Sequence, residues 1–214
     1  MAGNRVKHLG SLLGAPVGIM ADSHGSASAI AAALALFDVR GCRRVIHLGD
    51  LCDSESPATV NAAARPLMTA AVLTVMGNNE HALLQRAAAQ SGVNDDVRAF
   101  MAALPLQIEA DGHLFVHNRP FPDRLGLSCL TGDITLADCR RIDRRFHDVV
   151  LFRGHSHLPS VCQTRSGAIS GDGLTGDKTV LAPGDNWVVT CGALQAGWCM
   201  IWHPGRRTLT VCRL

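Results

Sequence analysis

The chain has 214 residues, of which 47% are hydrophobic and 18% are charged, as expected for one globular domain spanning 1–214. The formal net charge of +2 provides no basic surface for nucleic acid or for an anionic membrane. Since no apolar run reaches the roughly 18 residues of a membrane-spanning helix, the sequence predicts a cytoplasmic protein.

Cysteine usage indicates a reducing compartment rather than a disulfide framework. The eight cysteines contain no Cys-x-x-Cys pair, and a structural zinc site would need closer pairs. Tyrosine is absent, which excludes a tyrosine nucleophile or proton donor. We expect reduced, mostly buried thiols at positions 42, 52, 129, 139, 162, 191, 199 and 212.

The first half of the chain alternates short β-branched runs with Ala- and Leu-rich helical patterns. One predicted helix is expected to break or end near Pro66, and another is expected to end at Ser91-Gly92. Strands are predicted at 16–21, 44–48 and 71–76. Helices are predicted at 26–37, 57–68, 80–90 and 95–103.

The second half leans towards β structure. Asp111-Gly112 between two short apolar runs predicts a β-hairpin with strands at 106–110 and 113–116. Residues 118–132 are expected to form a loop and 136–146 a basic helix. Together the halves predict an α/β fold, an α-β-β-α sandwich of two mixed sheets flanked by helices. The remaining strands are predicted at 149–152, 187–191, 199–202 and 208–212.

Five apolar runs each end on residues that could bind a metal ion. Short buried strands closed by a polar residue open onto a site at the end of the strand. We therefore expect the donors to gather on one edge of one sheet. They are two carboxylates, one amide and four imidazoles: Asp22, His24, Asp50, Asn78, His117, His155 and His157.

This mixed donor set suits zinc, manganese or iron better than magnesium alone. Seven donors are too many for one ion and fit two ions that share Asp50. Gly49, Gly77 and Gly154 allow tight turns where a side chain would crowd the ions. Two divalent ions outweigh two carboxylates, and the net positive charge suits a phosphoester attacked in line by a metal-bridging hydroxide.

The motifs resemble, in the same order, those of the calcineurin-like metallophosphoesterase superfamily, most of all its small single-domain prokaryotic phosphodiesterases. The resemblance spans about residues 16–195. It implies a two-sheet sandwich and a small phosphoester substrate, for which a nucleotide-like compound is one candidate. It also implies two divalent ions, with manganese preferred over zinc, iron or nickel. The motifs are Asp22-x-His24, Gly49-Asp50, Gly77-Asn78, His117 and Gly154-His155-x-His157.

Carried over residue by residue, the resemblance implies two overlapping ligand sets. One ion would take Asp22, His24, Asp50 and His157. The other would take Asp50, Asn78, His117 and His155. Asn78 would in addition hold an oxygen of the substrate phosphate.

The chain departs from the family pattern after Asn78. Many members have a histidine next that donates a proton to the leaving group, and here that residue is Asn79. His81 is a candidate replacement. Without this donor we expect diesters with good leaving groups to be preferred over monoesters. Asn118 stands where the family usually has glycine, and Arg119 is either a clamp for the phosphate or a solvated loop residue.

Other positions restrict the classes of substrate that we expect. The Asp-Arg-Gly signature of Ser/Thr phosphatases is missing, because Asp53 is followed by Ser54-Glu55. That argues against phosphoprotein or dinucleoside tetraphosphate substrates. Arg153 is expected at a sheet edge or facing the site, and His47 is expected to be a hydrogen-bonded core residue. The segments 118–132 and 160–185 are expected to shape the mouth of the pocket.

Two alternatives to an active enzyme fit the same fold. A protein-scaffold module, such as the retromer subunit of this superfamily, would have eroded ligands, and none is eroded here. A catalytically weak nucleotide-binding sensor would keep them. A homo-oligomer is compatible with either function.

Overall fold

Two β-sheets face each other, and helices cover their outer faces, in the computed structural model of the chain. It describes residues 6–54, 56–86, 92–165, 169–170 and 178–214. Three apolar clusters occupy the space between the sheets and beneath the helices on either side. This arrangement confirms the predicted α-β-β-α sandwich of two mixed sheets.

The first sheet has six strands and carries the N-terminal motifs. Its first three strands along the chain pair in parallel, and three strands from the C-terminal part extend it in antiparallel pairing. The strands are β2 (Val17–Met20), β3 (Arg44–His47), β4 (Leu73–Thr74), β10 (Lys178–Val180), β12 (Trp198–His203) and β13 (Thr208–Arg213). Their order is β10-β13-β12-β2-β3-β4.

The second sheet has seven strands, and three neighbouring central strands run parallel. Its strands are β1 (Val6–His8), β5 (Gln107–Ala110), β6 (His113–Val116), β7 (Val150–Arg153), β8 (Ser160–Gln163), β9 (Ile169–Ser170) and β11 (Trp187–Thr190). Their order is β1-β5-β6-β7-β11-β8-β9.

In the described part of the chain, six α-helices complete the sandwich. The first four pack on the six-stranded sheet, and the sixth packs on the seven-stranded sheet. They are α1 (Ala27–Val39), α2 (Val60–Thr69), α3 (Asn78–Gln85), α4 (Asp95–Ala102), α5 (Pro122–Leu125) and α6 (Leu136–Arg145). None of the helices in the described residues is long and apolar enough to cross a membrane.

The layer between the sheets is closed by aromatic packing. The rings of Phe115 and Phe152 stack 5.1 Å apart, and the indole of Trp202 meets Phe152 edge-on at 5.3 Å. All three side chains are fully buried. Burial of each such side chain stabilises the fold by about 1.5–3 kcal/mol, so this cluster holds the two sheets at a fixed separation.

The predicted hairpin is confirmed. Strands β5 and β6 pair in antiparallel register around Asp111-Gly112. Both turn residues have positive φ, 49° and 78°, as a tight two-residue hairpin turn requires.

Several predicted boundaries were wrong for local reasons. Pro66 lies inside α2 without ending it, because the helix resumes with the bond from the Ala70 amide to the Pro66 carbonyl at 3.0 Å. The strand predicted at 71–76 shortens to β4, since Ala71 adopts a φ of 50°. The loop predicted at 118–132 contains α5 and a 3-10 helix, Gly126–Leu130.

Other elements were misjudged or missed. The helix predicted at 80–90 begins earlier, as α3, and residues 87–91 lie outside the described part of the chain. Residues 166–168 and 171–177 of the expected pocket mouth also lie outside it. The sequence analysis missed β1, β8, β9 and β10, which are short strands at or near the sheet edges.

Candidate metal centre

The seven candidate ligands follow strands of both sheets. Asp22 and His24 follow β2, Asp50 follows β3, and Asn78 begins α3 after β4. From the other sheet, His117 follows β6, and His155 and His157 follow β7. The expectation of one edge of one sheet was therefore wrong, because the carboxyl ends of parallel strands from two facing sheets meet here.

One group of donors forms around His24 and His157. Their Nε2 atoms lie 3.1 Å apart, and the rings meet edge-on. A carboxylate oxygen of Asp22 completes the group, with all three ligand atoms within 4.8 Å of one another. Asp22 is buried, His24 is half-buried and His157 is exposed, so this group opens to solvent on the His157 side.

A second group forms around the Asn78 side-chain oxygen. Asn78 Oδ1 lies 2.9 Å from His117 Nε2 and 3.0 Å from His155 Nδ1. His117 Nε2 is also 3.6 Å from Asp50 Oδ1. The Nδ1 atom of His117 donates to the Leu48 carbonyl at 2.9 Å, which leaves the Nε2 lone pair directed at the other donors.

Asp22 links the two sheets. The backbone amide of His155 donates to both of its carboxylate oxygens, at 3.1 and 2.9 Å. The Asp22 amide donates in turn to the Gly49 carbonyl on the neighbouring loop of its own sheet. The relative position of the donors from β2 and β7 is therefore set by the hydrogen bonds that the His155 backbone amide donates to the Asp22 carboxylate.

Five of the seven residues have a left-handed backbone, which non-glycine residues adopt rarely and at a cost. Strain of this kind clusters at functional sites, where the surrounding structure holds it in place. The φ angles are 53° at Asp22, 43° at His24, 55° at Asp50, 69° at His155 and 60° at His157.

Glycine is required beside these residues. A Cβ at Gly77 would lie 2.2 Å from the amide nitrogen and from Oδ1 of Asp50. Gly49 has a φ of 90°, and a Cβ there would lie 2.8 Å from His117 Nδ1. A side chain at either position would therefore displace a candidate ligand.

The chemistry of the donor set fits divalent cations. Burial, with the nearby charge of Asp50, raises the pKa of Asp22 well above its usual value. Burial also lowers the pKa of His24 and His117, and that of His155 to about 4, which keeps these imidazoles neutral. Neutral imidazoles present lone pairs to a metal ion, and a cation beside Asp22 would favour its ionised carboxylate over the protonated acid.

A match between the sequence and a protein-family model identifies the family of this chain. The calcineurin-like phosphoesterase superfamily domain matches residues 16–197. The chain belongs to this superfamily. No curated protein shows significant similarity to this phosphoesterase.

Solved structures of low identity share the fold. A metallophosphoesterase from Sphaerobacter thermophilus has a TM-score of 0.76 at 18% identity, covering 94% of this chain and 88% of its own. A protein serine/threonine phosphatase from Saccharomyces cerevisiae has a TM-score of 0.58 at 14% identity, covering 98% and 83%. An archaeal phosphodiesterase has a TM-score of 0.52 at 14% identity, covering 93% and 99%.

Two neighbours of the candidate ligands hold Asp50 in place. The Asn79 side-chain amide donates to Asp50 Oδ2 at 2.8 Å, and its backbone amide donates to Oδ1 at 2.9 Å. Buried Glu80 accepts from the backbone amides of Asp50 and Gly77, at 2.9 and 2.8 Å. It also accepts from the amide and thiol of Cys52.

The sequence analysis missed the role of Glu80. The only signal was its position as the third residue of α3, where a carboxylate accepts the amide at the helix start. Burial and the neighbouring Asp50 raise the pKa of Glu80 to about 7.

His47 is fully buried, and the prediction of a hydrogen-bonded core residue is confirmed. Its Nδ1 accepts from the Gly49 amide at 3.2 Å, and its Nε2 lies 3.0 Å from the Ser23 hydroxyl. Burial lowers the pKa of His47 to about 3. This neutral imidazole therefore braces the loop that leads to Asp50.

The two further catalytic candidates are His81 and Arg119. His81 follows Asn78 by three positions on α3, on the same side of the helix. Arg119 is largely buried, and its Nη2 donates to Asp138 on α6 at 3.2 Å. Arg119 is therefore held by an ion pair and is not a freely solvated loop residue.

Arg153 and Asn118 form a buried pair. Arg153 is 5% exposed, and its Nη2 donates to Asn118 Oδ1 at 2.6 Å. The Asn118 amide donates to the Gly132 carbonyl. Asn118, which stands where the family usually has glycine, is thus the hydrogen-bond partner of Arg153 at the end of β7.

Proposed function

We propose that the chain is a metal-dependent phosphoric ester hydrolase, most active on phosphodiesters. The observation that supports it is the convergence of seven donors from five strand ends of two sheets. Carboxylate, amide and imidazole side chains in this number suit two first-row divalent ions. The family membership makes a phosphoester the substrate class.

Two divalent ions are proposed to bind, and manganese is our first choice of metal. The first would be held by Asp22, His24, Asp50 and His157. The second would be held by Asp50, Asn78, His117 and His155. The close pairing of His24 with His157, and of His155 with His117, supports this division.

Hydrolysis is proposed to proceed by in-line attack of a water-derived hydroxide on phosphorus. When bound, the two ions would offset negative charge on the phosphate and lower the pKa of water beside it. The Asn78 oxygen faces the imidazoles, so its amide group is free to donate to a phosphate oxygen. Asp50 would keep its orientation through the Asn79 and Glu80 hydrogen bonds.

The proposed preference for diesters follows from Asn79. Its side chain donates to Asp50 and accepts from the Ser54 amide at 3.2 Å, so it offers no proton to a leaving group. His81 is the proposed donor from the same helix. Arg119 donates to Asp138 through Nη2, and we propose that its other N–H groups make it a secondary clamp for the phosphate.

The test compares bis-p-nitrophenyl phosphate with p-nitrophenyl phosphate as substrates. The protein would be stripped with a chelator and resupplied with manganese, zinc, iron or nickel. Metal content would be measured in parallel by mass spectrometry. We expect about two ions per chain and metal-restored turnover that favours the diester.

Asp50→Asn is the diagnostic variant, and Asp95→Asn on the exposed surface of α4 is its matched control. Asp50→Asn should lose turnover by at least about 100-fold and lose bound metal, while the control keeps both. Two bound ions without turnover of either ester would favour the nucleotide-binding or scaffold alternative.

Three broader properties belong to the proposal. The substrate would be a small phosphoester, for which a nucleotide is one candidate. The protein would act in the cytoplasm, and a homo-oligomer is compatible with the fold. Fractionation and light scattering would measure the last two.

A further inference from the structure

Two cysteines face each other across neighbouring strands, away from the ligand loops. Cys199 on β12 is registered directly opposite Cys212 on the antiparallel strand β13. Directly opposed residues place their side chains on the same face, with Cα atoms about 4.5–5.5 Å apart. This spacing lies within the range of a disulfide.

The two thiols differ in environment. Cys199 is fully buried on the face that packs against α1 and α2, whereas Cys212 at the end of β13 is only half-buried. A hydrogen bond with the Cys199 thiol lowers the pKa of Cys212 to about 7, and the Arg40 guanidinium acts in the same direction against burial. Thiolate character and access together define a reactive cysteine.

We propose that Cys212 and Cys199 form a modification site for hydroperoxides, in which Cys212 is oxidised first and Cys199 then closes a reversible disulfide. This site is separate from the proposed hydrolase activity and does not depend on it. It refines the expectation of reduced, mostly buried thiols.

The chemistry balances with a hydroperoxide as the oxidant. The Cys212 thiolate attacks the terminal oxygen, so that an S–O bond forms, the O–O bond breaks and the alkoxide leaves to take up a proton. Cys199 sulfur then attacks the Cys212 sulfur, forming the S–S bond, and the hydroxyl leaves as water with the Cys199 proton. The pair loses two electrons, and the peroxide is reduced to an alcohol, or to water when it is hydrogen peroxide.

The chain contains a second thiol pair that serves as an internal control. Cys139 on α6 and Cys162 on β8 also share a hydrogen bond, but both are buried at 6% exposure. Burial raises the pKa of Cys139, and that of Cys162 to about 11. Two protonated and enclosed thiols should react slowly even though they touch.

The test is peptide mapping of the whole protein. It would be reduced with a phosphine, desalted, exposed to hydrogen peroxide for increasing times, alkylated and digested without reductant. We expect a Cys199–Cys212 disulfide to form at least about tenfold faster than a Cys139–Cys162 disulfide. Dithiothreitol should remove it.

Variants assign the order of events. In Cys199→Ser, Cys212 should persist as a sulfenic acid that dimedone traps, and in Cys212→Ser no disulfide should form at Cys199. Cys42→Ser is the matched control, because Cys42 is the third thiol near this face, and its removal should leave the rate unchanged.

Three results would overturn the proposal: a disulfide joining Cys42 to Cys212, equal oxidation of the two pairs, or an unchanged oxidation rate at Cys199 in Cys212→Ser. Circular dichroism of each variant checks folding. The map of the wild-type protein decides the pairing without any variant.

Discussion

Asn79 donates hydrogen bonds to both oxygens of the Asp50 carboxylate, one from its side-chain amide at 2.8 Å and one from its backbone amide at 2.9 Å. In the sequence, Asn79 stands where many family members have a proton-donating histidine. In the structure, Asn79 is instead a hydrogen-bond partner of Asp50. It orients the carboxylate that the two proposed ions would share.

Replacing Asn79 by alanine should weaken metal binding. The variant keeps the backbone bond to Asp50 and loses the side-chain bond, and loss of a partner that orients a ligand typically costs about 10–100-fold in metal affinity. Isothermal titration of the chelator-treated protein with manganese measures it. Asn94→Ala, at the exposed start of α4, is the control, and equal affinities in the two variants would contradict the role of Asn79.

Gly77→Ala should disrupt the site and the fold together. The added Cβ would lie 2.2 Å from Asp50 backbone and side-chain atoms, and relief requires the loop to move. We expect a loss of about 1–3 kcal/mol in the free energy of unfolding, measured by urea denaturation, together with weaker metal binding. Gly10→Ala has open space around it, so it should leave both unchanged.

The buried Arg153–Asn118 pair should show strong coupling. Arg153→Met leaves the Asn118 oxygen without its donor in a dry site, which costs about 1–3 kcal/mol. Asn118→Gly leaves the guanidinium without its acceptor. The double variant, which restores the family glycine, should be more stable than the sum of the single effects predicts. Additive losses in urea denaturation would show that the contact is incidental.

His113, which is not one of the candidate metal ligands, should make the free energy of unfolding depend on pH. It is buried, its Nδ1 accepts from the Val150 amide at 3.2 Å, and burial lowers its pKa. The native form stays neutral while the unfolded form gains a proton below about pH 6.5, so unfolding becomes easier as pH falls through that value. In His113→Gln the slope of unfolding free energy between about pH 6.5 and 5 should flatten, when measured in chelator-treated protein.

The donors could be identified from the sequence because each follows a short buried strand. A run such as Val45-Ile46-His47-Leu48 is typical of a buried strand, and Asp50, which follows it after Gly49, lies at the strand end. Local pattern was therefore enough to select Asp50 and its counterparts as candidates. The family order of motifs then implied their grouping.

The sheet assignment could not be predicted from local pattern. Strand β12 lies beside β2 although nearly the whole chain separates them, and this pairing depends on contacts that no local window contains. The same limit applies to Glu80, which accepts amides from a loop about thirty residues away. Sequence showed a helix-start carboxylate, and only the assembled fold showed what it supports.

Because the candidate ligands come from both sheets, bound ions would connect the two layers of the sandwich. An ion held by Asp22 from one sheet and His157 from the other would resist separation of the layers as well as act on substrate. Because ions bind the folded chain and not the dispersed ligands, folding would gain about 2.7 kcal/mol at a free metal concentration one hundred times Kd. The melting temperature should then rise with manganese concentration even without substrate. The metal available in the cell would therefore affect the stability of the folded protein as well as its rate of turnover.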